Sequence, residues 1–215
     1  MKFRIHKGKH MLKKIVFLVV SLMMSHAYAQ QILVISCSLN PESRSAKLAH
    51  DAVAFLKSKG QSVDFIDLRN YRLPLANGHD QSAYDNPQVK ELHDRIAKAQ
   101  AVIIASPIYN YAVAASTKNL VDLTTHPHKN ILTGKAWRNK VVGFMGASGG
   151  QGSLLAFFPF LNSLMMDSQV VVVPTFVMAS SSDFNDKGEV SSDIKQRIEE
   201  LSSATVKFAQ ALFKQ

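Results

Sequence analysis

Short apolar runs alternating with amphipathic stretches constrain this chain more than any other feature. Residues 32–35, Ile-Leu-Val-Ile, are continuously apolar, the pattern of a parallel strand buried on both faces. Residues 45–59 then repeat apolar side chains at helical spacing through Leu48, Ala52, Val53 and Leu56, and Gly60 stands where a left-handed C-terminal cap belongs. Residues 63–68 read as a second, partly polar strand nearer an edge. A turn-rich stretch, 69–85, contains Pro74, Asn77 and Gly78. Asn86-Pro87 opens the next helix, with Asn as cap and Pro at the first helical position, and Val89, Leu92 and Ile96 supply its buried stripe. Residues 101–105, 141–145 and 170–173 read as the third, fourth and fifth strands; 116–123, 153–166 and 192–213 read as helices. This alternation predicts an α/β fold, a doubly wound five-stranded parallel sheet with helices on both faces and right-handed crossovers. No internal repeat or low-complexity tract interrupts it, so residues 30–215 are expected to form one domain.

The net charge of +9 suggests a polyanion partner until the charges are located. Lys2, Arg4, Lys7, Lys9, Lys13 and Lys14 all fall within residues 1–29, which hold no acidic residue, and removing that stretch lowers the charge from +9 to +3. No basic stripe with interleaved aromatics follows, so no nucleic-acid partner is expected. The stretch itself has the three parts of a secretory signal: a basic n-region ending at Lys14, an apolar h-region over 15–24, and the small-x-small site Ala27-Tyr28-Ala29. Its h-region is too short for a bilayer span, which takes about 20 residues. The expectation is a signal peptide over 1–29, an exported mature chain beginning at Gln30, and no stable membrane span after cleavage. Cys37 is the only cysteine, which excludes an intramolecular disulfide and a thiolate zinc cluster. It reads as a small buried thiol. His126-Pro127-His128 has no neighbouring carboxylate or cysteine and reads as a solvated loop, so no metal site is expected.

In open parallel sheets ligands sit outside the carboxyl ends of the strands, where the winding direction switches. The loop after the first strand runs from Cys37 into a helix and carries Ser38, Asn40, Ser43, Arg44 and Ser45. Neutral donors, one guanidinium and a helix N-terminus suit a phosphate. Capping by Ser43 or Ser45 accounts for any one serine, though not for so many polar groups, and Glu42 suits a phosphate only if it points to solvent. The loop matches neither G-x-x-x-x-G-K-[ST] nor G-x-G-x-x-G, so triphosphate hydrolysis and dinucleotide binding lack support, and a mononucleotide is the simplest ligand.

After the third strand the chain reads Ser106-Pro107-Ile108-Tyr109-Asn110-Tyr111, then Lys118-Asn119 and Asp122. With these residues it resembles the NAD(P)H-dependent FMN reductase family of flavodoxin-like proteins. That family shows Pro-x-Tyr-Asn, then Leu-Lys-Asn-x-x-Asp, and a serine-rich phosphate loop after its first strand. Cys37 stands where the family usually has glycine, Asn40 where arginine is common and Thr117 where leucine is common. The resemblance implies FMN as cofactor and NAD(P)H as electron donor, with Ser38, Asn40, Ser43 and Ser45 holding the FMN phosphate. It further implies that Pro107, Ile108, Tyr109 and Asn110 line the flavin ring. In Gly146-Ala147-Ser148-Gly149-Gly150-Gln151-Gly152, after the fourth strand, glycines permit close backbone approach to a flat ring. Ser148, Gly149 and Gly150 are the third expected contact set. Lys118, Asn119 and Asp122 are expected to fasten a loop, with no ligand contact. Similar proteins form dimers, and the apolar surplus across Phe157, Phe158, Phe160, Leu161, Leu164 and Met165 points to a homodimer contact.

Two rivals stand beside this reading. Gly146-Ala147-Ser148-Gly149-Gly150 also fits the G-x-S-x-G nucleophile elbow of α/β-hydrolases, but that fold places its histidine after the serine, and every histidine here precedes Ser148. The second is an exported FMN-binding electron carrier with a non-nicotinamide donor, since free NADPH is scarce outside the cytoplasm. The expected activity is an FMN oxidoreductase passing electrons from NAD(P)H to a small acceptor: a flavin, quinone, azo compound or metal ion.

Overall fold

A computed structural model of the chain describes residues 31–125, 136–150 and 154–213. The expected signal peptide and His126-Pro127-His128 lie outside the described residues. The strands are β1 (Gln31–Ser36), β2 (Ser62–Asp67), β3 (Ala101–Tyr109), β4 (Ala112–Val113), β5 (Val141–Ala147) and β6 (Val171–Ala179). The sheet runs β2-β1-β3-β5-β6, all parallel, and β4 folds back antiparallel on the end of β3. Successive strands add to one side and then the other of β1, so the winding switches between β1 and β3, and the carboxyl ends of these two strands splay a crevice. The helices are α1 (Arg44–Ser58), α2 (Gln81–Tyr84), α3 (Pro87–Lys98), α4 (Ala115–Thr125), α5 (Phe158–Ser168) and α6 (Ser192–Phe213).

Period-two side-chain alternation sorts the buried strands between two cores. Ile32, Val34, Ile103 and Met145 pack under α1 and α6 with Leu48, Leu56, Ile198 and Leu201. Leu33, Ile35, Val102, Ile104 and Phe144 face the other way, onto Leu92, Ile96, Leu120, Leu161 and Leu164 of α3, α4 and α5. Each such fully buried aliphatic side chain contributes about 1.5–3 kcal/mol. Helix ends follow local chemistry. The Asn86 side chain accepts from the Gln88 amide and Pro87 opens α3. Gly60 has φ +73°, and the amides of Gly60 and Gln61 donate to Lys57 and Leu56, closing α1 in a Schellman motif.

Three boundaries differ from expectation. Ser106, Pro107, Ile108 and Tyr109 are strand, because β3 stays paired with β5 as far as Pro107 opposite Ala147. β1 has by then ended, at Ser36 opposite Ala105, so the N–H that Pro107 lacks has no ladder partner on that side. The helix expected over 153–166 is a short 3-10 turn, Leu154–Phe157, followed by α5, since Pro159 is tolerated only in a first helical turn. β6 continues past Val173: Pro174 sits in a bulge where Val142 and Phe144 pair with Val172 and Phe176. The apolar surplus of the α5 segment also divides. Phe157, Phe160, Leu161 and Leu164 are buried in the core, and Phe158, Met165 and Met166 reach the surface. No helix among the described residues is long and apolar enough to cross a membrane.

Candidate functional site

The carboxyl ends of β1, β3 and β5 enclose an open cleft of about 340 Å³. Ser38, Asn40, Ser43, Arg44 and Ser45 line it from the first loop; Pro107, Ile108 and Tyr109 from the end of β3; Ser148 and Gly149 from the third loop. Ten of the twelve residues expected from sequence thus share one cavity wall. Asn110 and Gly150 lie one residue beyond the lining, next to Tyr109 and Gly149. Glu42 and Ala147 complete the lining, with Glu42 exposed.

The first loop builds itself. The Asn40 amide donates to Ser38 Oγ (3.1 Å), and the Glu42 amide donates to Asn40 Oδ1 (3.0 Å). Ser43 is the N-cap of α1, its Oγ accepting from the Ala46 amide (3.1 Å) and lying 3.0 Å from Ser45 Oγ. A serine hydroxyl that accepts a backbone N–H still has its own proton to donate, so capping and ligand binding are compatible roles here. Arg44 and Ser45 form the first turn of α1, whose amides have no intrahelical acceptor. Ser38, Ser43 and Ser45 are buried side chains at the base of the cleft.

At β3 the chain reverses through the two-residue loop Asn110-Tyr111 between Tyr109 and Ala112. Both loop residues have positive φ, +50° and +61°, as a type I′ turn requires. Holding the bulky Tyr111 there costs roughly 1 kcal/mol or more. The hairpin is fastened from behind: Ser106 Oγ donates to Pro107 O (2.8 Å), lies 2.7 Å from the Thr117 hydroxyl, and accepts from the Ala114 amide (3.3 Å). Tyr109 and Tyr111 are exposed at its tip. At the third loop the Ser148 amide donates to Ala179 O and its hydroxyl to Gly150 O (2.6 Å). Ser148 does not have the positive φ of a nucleophile elbow. A Cβ built at Gly149 or Gly150 would meet no atom of the described residues within 4 Å, so those residues leave that side open.

The scaffold takes up four carbonyl oxygens of these loops, beside the amides of Cys37 and Ser148. Ser116 donates to Cys37 O, Arg69 to Pro41 O (2.9 Å), Ala114 to Pro107 O (3.0 Å), and Ser181 to Gly149 O (2.7 Å). Serine hydroxyls and the first-turn amides of α1 remain as donors among the lining residues, which favours an anion. Arg44 is the one cation among the described lining residues and Glu42 the one anion. Arg69 is held in turn by Asp67: burial, the largest single influence, raises that carboxyl, but the hydrogen bonds from the Arg69 side chain and amide and the nearby positive charge together hold it below its usual range. Burial pushes the Cys37 thiol up to about 12, partly opposed by a hydrogen bond from Thr117, so it is no nucleophile near neutral pH. Asn119 fastens the segment beside α4 as expected, donating to Pro74 O and accepting from the Ala76 amide, whereas Lys118 and Asp122 pair with each other one turn apart on α4 and hold no loop.

A phosphate-bearing flavin fits this cleft. Its phosphate end would find donors and one cation, and the opposite wall of Pro107, Ile108, Tyr109, Ala147 and Gly149 is uncharged. Two supporting residues escaped the sequence reading. Ser181 holds the Gly149 carbonyl, and the Phe184 ring lies 5.7 Å from the Arg44 guanidinium carbon. The available signal was the polar run Ser180-Ser181-Ser182-Asp183 directly after the last strand, at the same carboxyl edge.

Comparison with known proteins agrees with this geometry. A reductase of Geobacillus thermodenitrificans, described as NAD(P)H-dependent FAD/FMN reductase, is 26% identical over 140 residues, 65% of this chain and 71% of its own length. A 2-hydroxy-1,4-benzoquinone reductase of a Burkholderia species is 31% identical over 143 residues, 65% of this chain and 75% of its own. In fold, the chain superposes on FerB, a flavoenzyme NAD(P)H:(acceptor) oxidoreductase from Paracoccus denitrificans. That match has TM-score 0.67 and 22% identity, and covers 85% of this chain and 98% of the other. The family model for NADPH-dependent FMN reductase matches residues 30–184. The chain therefore belongs to the NADPH-dependent FMN reductase family, flavodoxin-like oxidoreductases with FMN as cofactor and NAD(P)H as electron donor.

Proposed function

We propose that FMN occupies the cleft at the switch point. Ser38, Asn40, Ser43, Arg44 and Ser45 take its phosphate, and Pro107, Ile108, Tyr109, Asn110, Ser148, Gly149 and Gly150 border its ring. Electrons pass from NAD(P)H to a small diffusible acceptor of the quinone class. The observation that carries this reading is the convergence of three loops, distant in sequence, on one donor-rich cleft with an uncharged far wall. FMN supplies the two-electron redox chemistry itself. The chain's residues bind and orient it, which agrees with the absence of an acid–base pair among the described lining residues. The quinone class is supported by the relative named as a benzoquinone reductase.

Residues 1–29 direct the chain out of the cytoplasm in this proposal, supported by their basic, apolar and small-x-small succession. The mature chain pairs as a two-fold dimer through the exposed Phe158, Met165 and Met166. The deciding experiment is the absorption spectrum of the purified protein under anaerobic conditions, before and after NADH or NADPH. A flavin spectrum bleached by a nicotinamide and restored by a quinone is expected. Bound FMN that neither nicotinamide reduces would make the chain an electron carrier. Mass spectrometry of protein from the envelope fraction should give a mass beginning at Gln30, and light scattering should give twice the monomer mass.

A further inference from the structure

The loop after β6 lines none of the cleft, yet it holds both ends of it. Its Ser181 hydroxyl donates to the Gly149 carbonyl (2.7 Å), and its Phe184 ring packs against the Arg44 guanidinium. The loop is internally tied. Asp183 accepts from the Ser180 amide, Phe184 and Val190 form an antiparallel bridge, and Asn185 Oδ1 accepts from the amides of Lys187 and Glu189. Phe184 is half-buried against the core under α1 and α6, so its ring is fixed. Lys47, three residues beyond Arg44, crosses Gly188 so closely that a Cβ there would overlap its Nζ. The loop is thus seated on the first turns of α1 through two cations, and the family match stops at residue 184, so most of it lies beyond the matched region.

Arg44 carries the only positive charge among the described residues lining the cleft and pairs with no carboxylate among them. An arginine at an exposed helix start is free to turn into solvent. Resting on an aromatic face restrains it while leaving its charge uncompensated and its N–H groups open to an anion. Resting on the reading that FMN occupies the cleft, we propose that Phe184 is a positioning residue that sets the preference for FMN over riboflavin, by holding Arg44 toward the phosphate end. Ser181 positions the Gly149 backbone at the other end and acts on both flavins alike.

The test measures dissociation constants of the apoprotein for FMN and for riboflavin by flavin fluorescence. Phe184→Leu keeps an apolar side chain but removes the ring: FMN binding weakens about fivefold with riboflavin unchanged, and the salt dependence of FMN binding flattens. Phe184→Tyr restores the preference. Arg44→Gln weakens FMN about tenfold, and the double variant is no weaker than Arg44→Gln alone, because the ring acts through that side chain. Ser181→Ala weakens both flavins equally. Equal loss of both flavins in Phe184→Leu, no loss of either, or additivity with Arg44→Gln overturns the proposal while the FMN site stands. A wild-type chain that binds neither flavin overturns the site and this proposal together.

Discussion

The two ends of the same parallel strands are built on opposite rules. At the amino end, the segment leading into β5 is tied to three neighbouring helices, α3, α4 and α5. Lys140 Nζ donates to Ala97 O (2.7 Å), the Asn139 amide to Ser168 O (3.1 Å), and the Trp137 indole N–H to Thr124 Oγ1 (2.8 Å). Trp137 is fully buried and Lys140 nearly so. At the carboxyl end the frame also takes hold of carbonyls, those of Cys37, Pro41, Pro107 and Gly149, but there serine hydroxyls and the first turn of α1 border an open cleft. One end stores stability and the other stores binding capacity. The ends differ in what fills the space between elements: a buried indole and a buried lysine at one, an open polar cleft at the other.

That contrast can be broken by perturbing each end and asking whether the effect stays there. Trp137→Ala should have the largest effect, lowering the unfolding free energy by about 3–5 kcal/mol in a denaturant titration. FMN affinity of the molecules that remain folded should not change; a large change would mean that the two ends are coupled. Ser38→Asp places a carboxylate among neutral donors at the phosphate end. FMN binding should weaken on the order of a hundredfold, about 3 kcal/mol, with riboflavin affected much less. Equal loss of both ligands would remove the phosphate from this loop. A last test, read only as a pH dependence, sharpens the description of the amino end. Burial lowers the Lys140 ammonium from its ordinary 10.5 to about 8. Between these two values the unfolded chain binds more protons than the folded one, so stability should rise with pH across that window. Below pH 8 both states are protonated and the penalty is fully present; above 10.5 both are neutral and it is gone. Lys140→Met should abolish that rise, seen as the difference between wild-type and variant melting profiles.

Much of this was legible because the signals were local. Asn86-Pro87 and Gly60 mark helix ends through the conformations their own backbones allow, and the apolar run at 32–35 has the pattern expected of a strand buried on both faces. The donor loop was legible for the same reason, since Ser38, Asn40, Ser43 and Ser45 are neighbours in sequence. What stayed hidden depends on partners far along the chain. Pro107 looked like the start of a loop because nothing near it reveals that β1 has already ended. Phe160 is 6% exposed and belongs to the core, whereas Phe158 is 38% exposed, and their spacing alone did not settle which ring turns inward. The same holds for Ser181 and Phe184, whose positions are defined only once β5 and β6 pair and the loop after them reaches back to α1.

The bulge around Pro174 has a consequence for how copies of this chain meet. An open sheet offers two unpaired edges, and a long flat edge strand is an invitation to intermolecular pairing and aggregation. Here β6 forms one edge, and Pro174 removes a donor from it where the bulge breaks its regular ladder. β2 forms the other, with Asp64 drawn into a bidentate contact from Arg95. Each edge thus carries a feature that discourages continued strand addition, a proline on one and a charged side chain on the other. Concentrated samples should therefore form fibrils by edge pairing less readily than a chain with flat, fully hydrogen-bonding edges, which thioflavin fluorescence of aged samples would check.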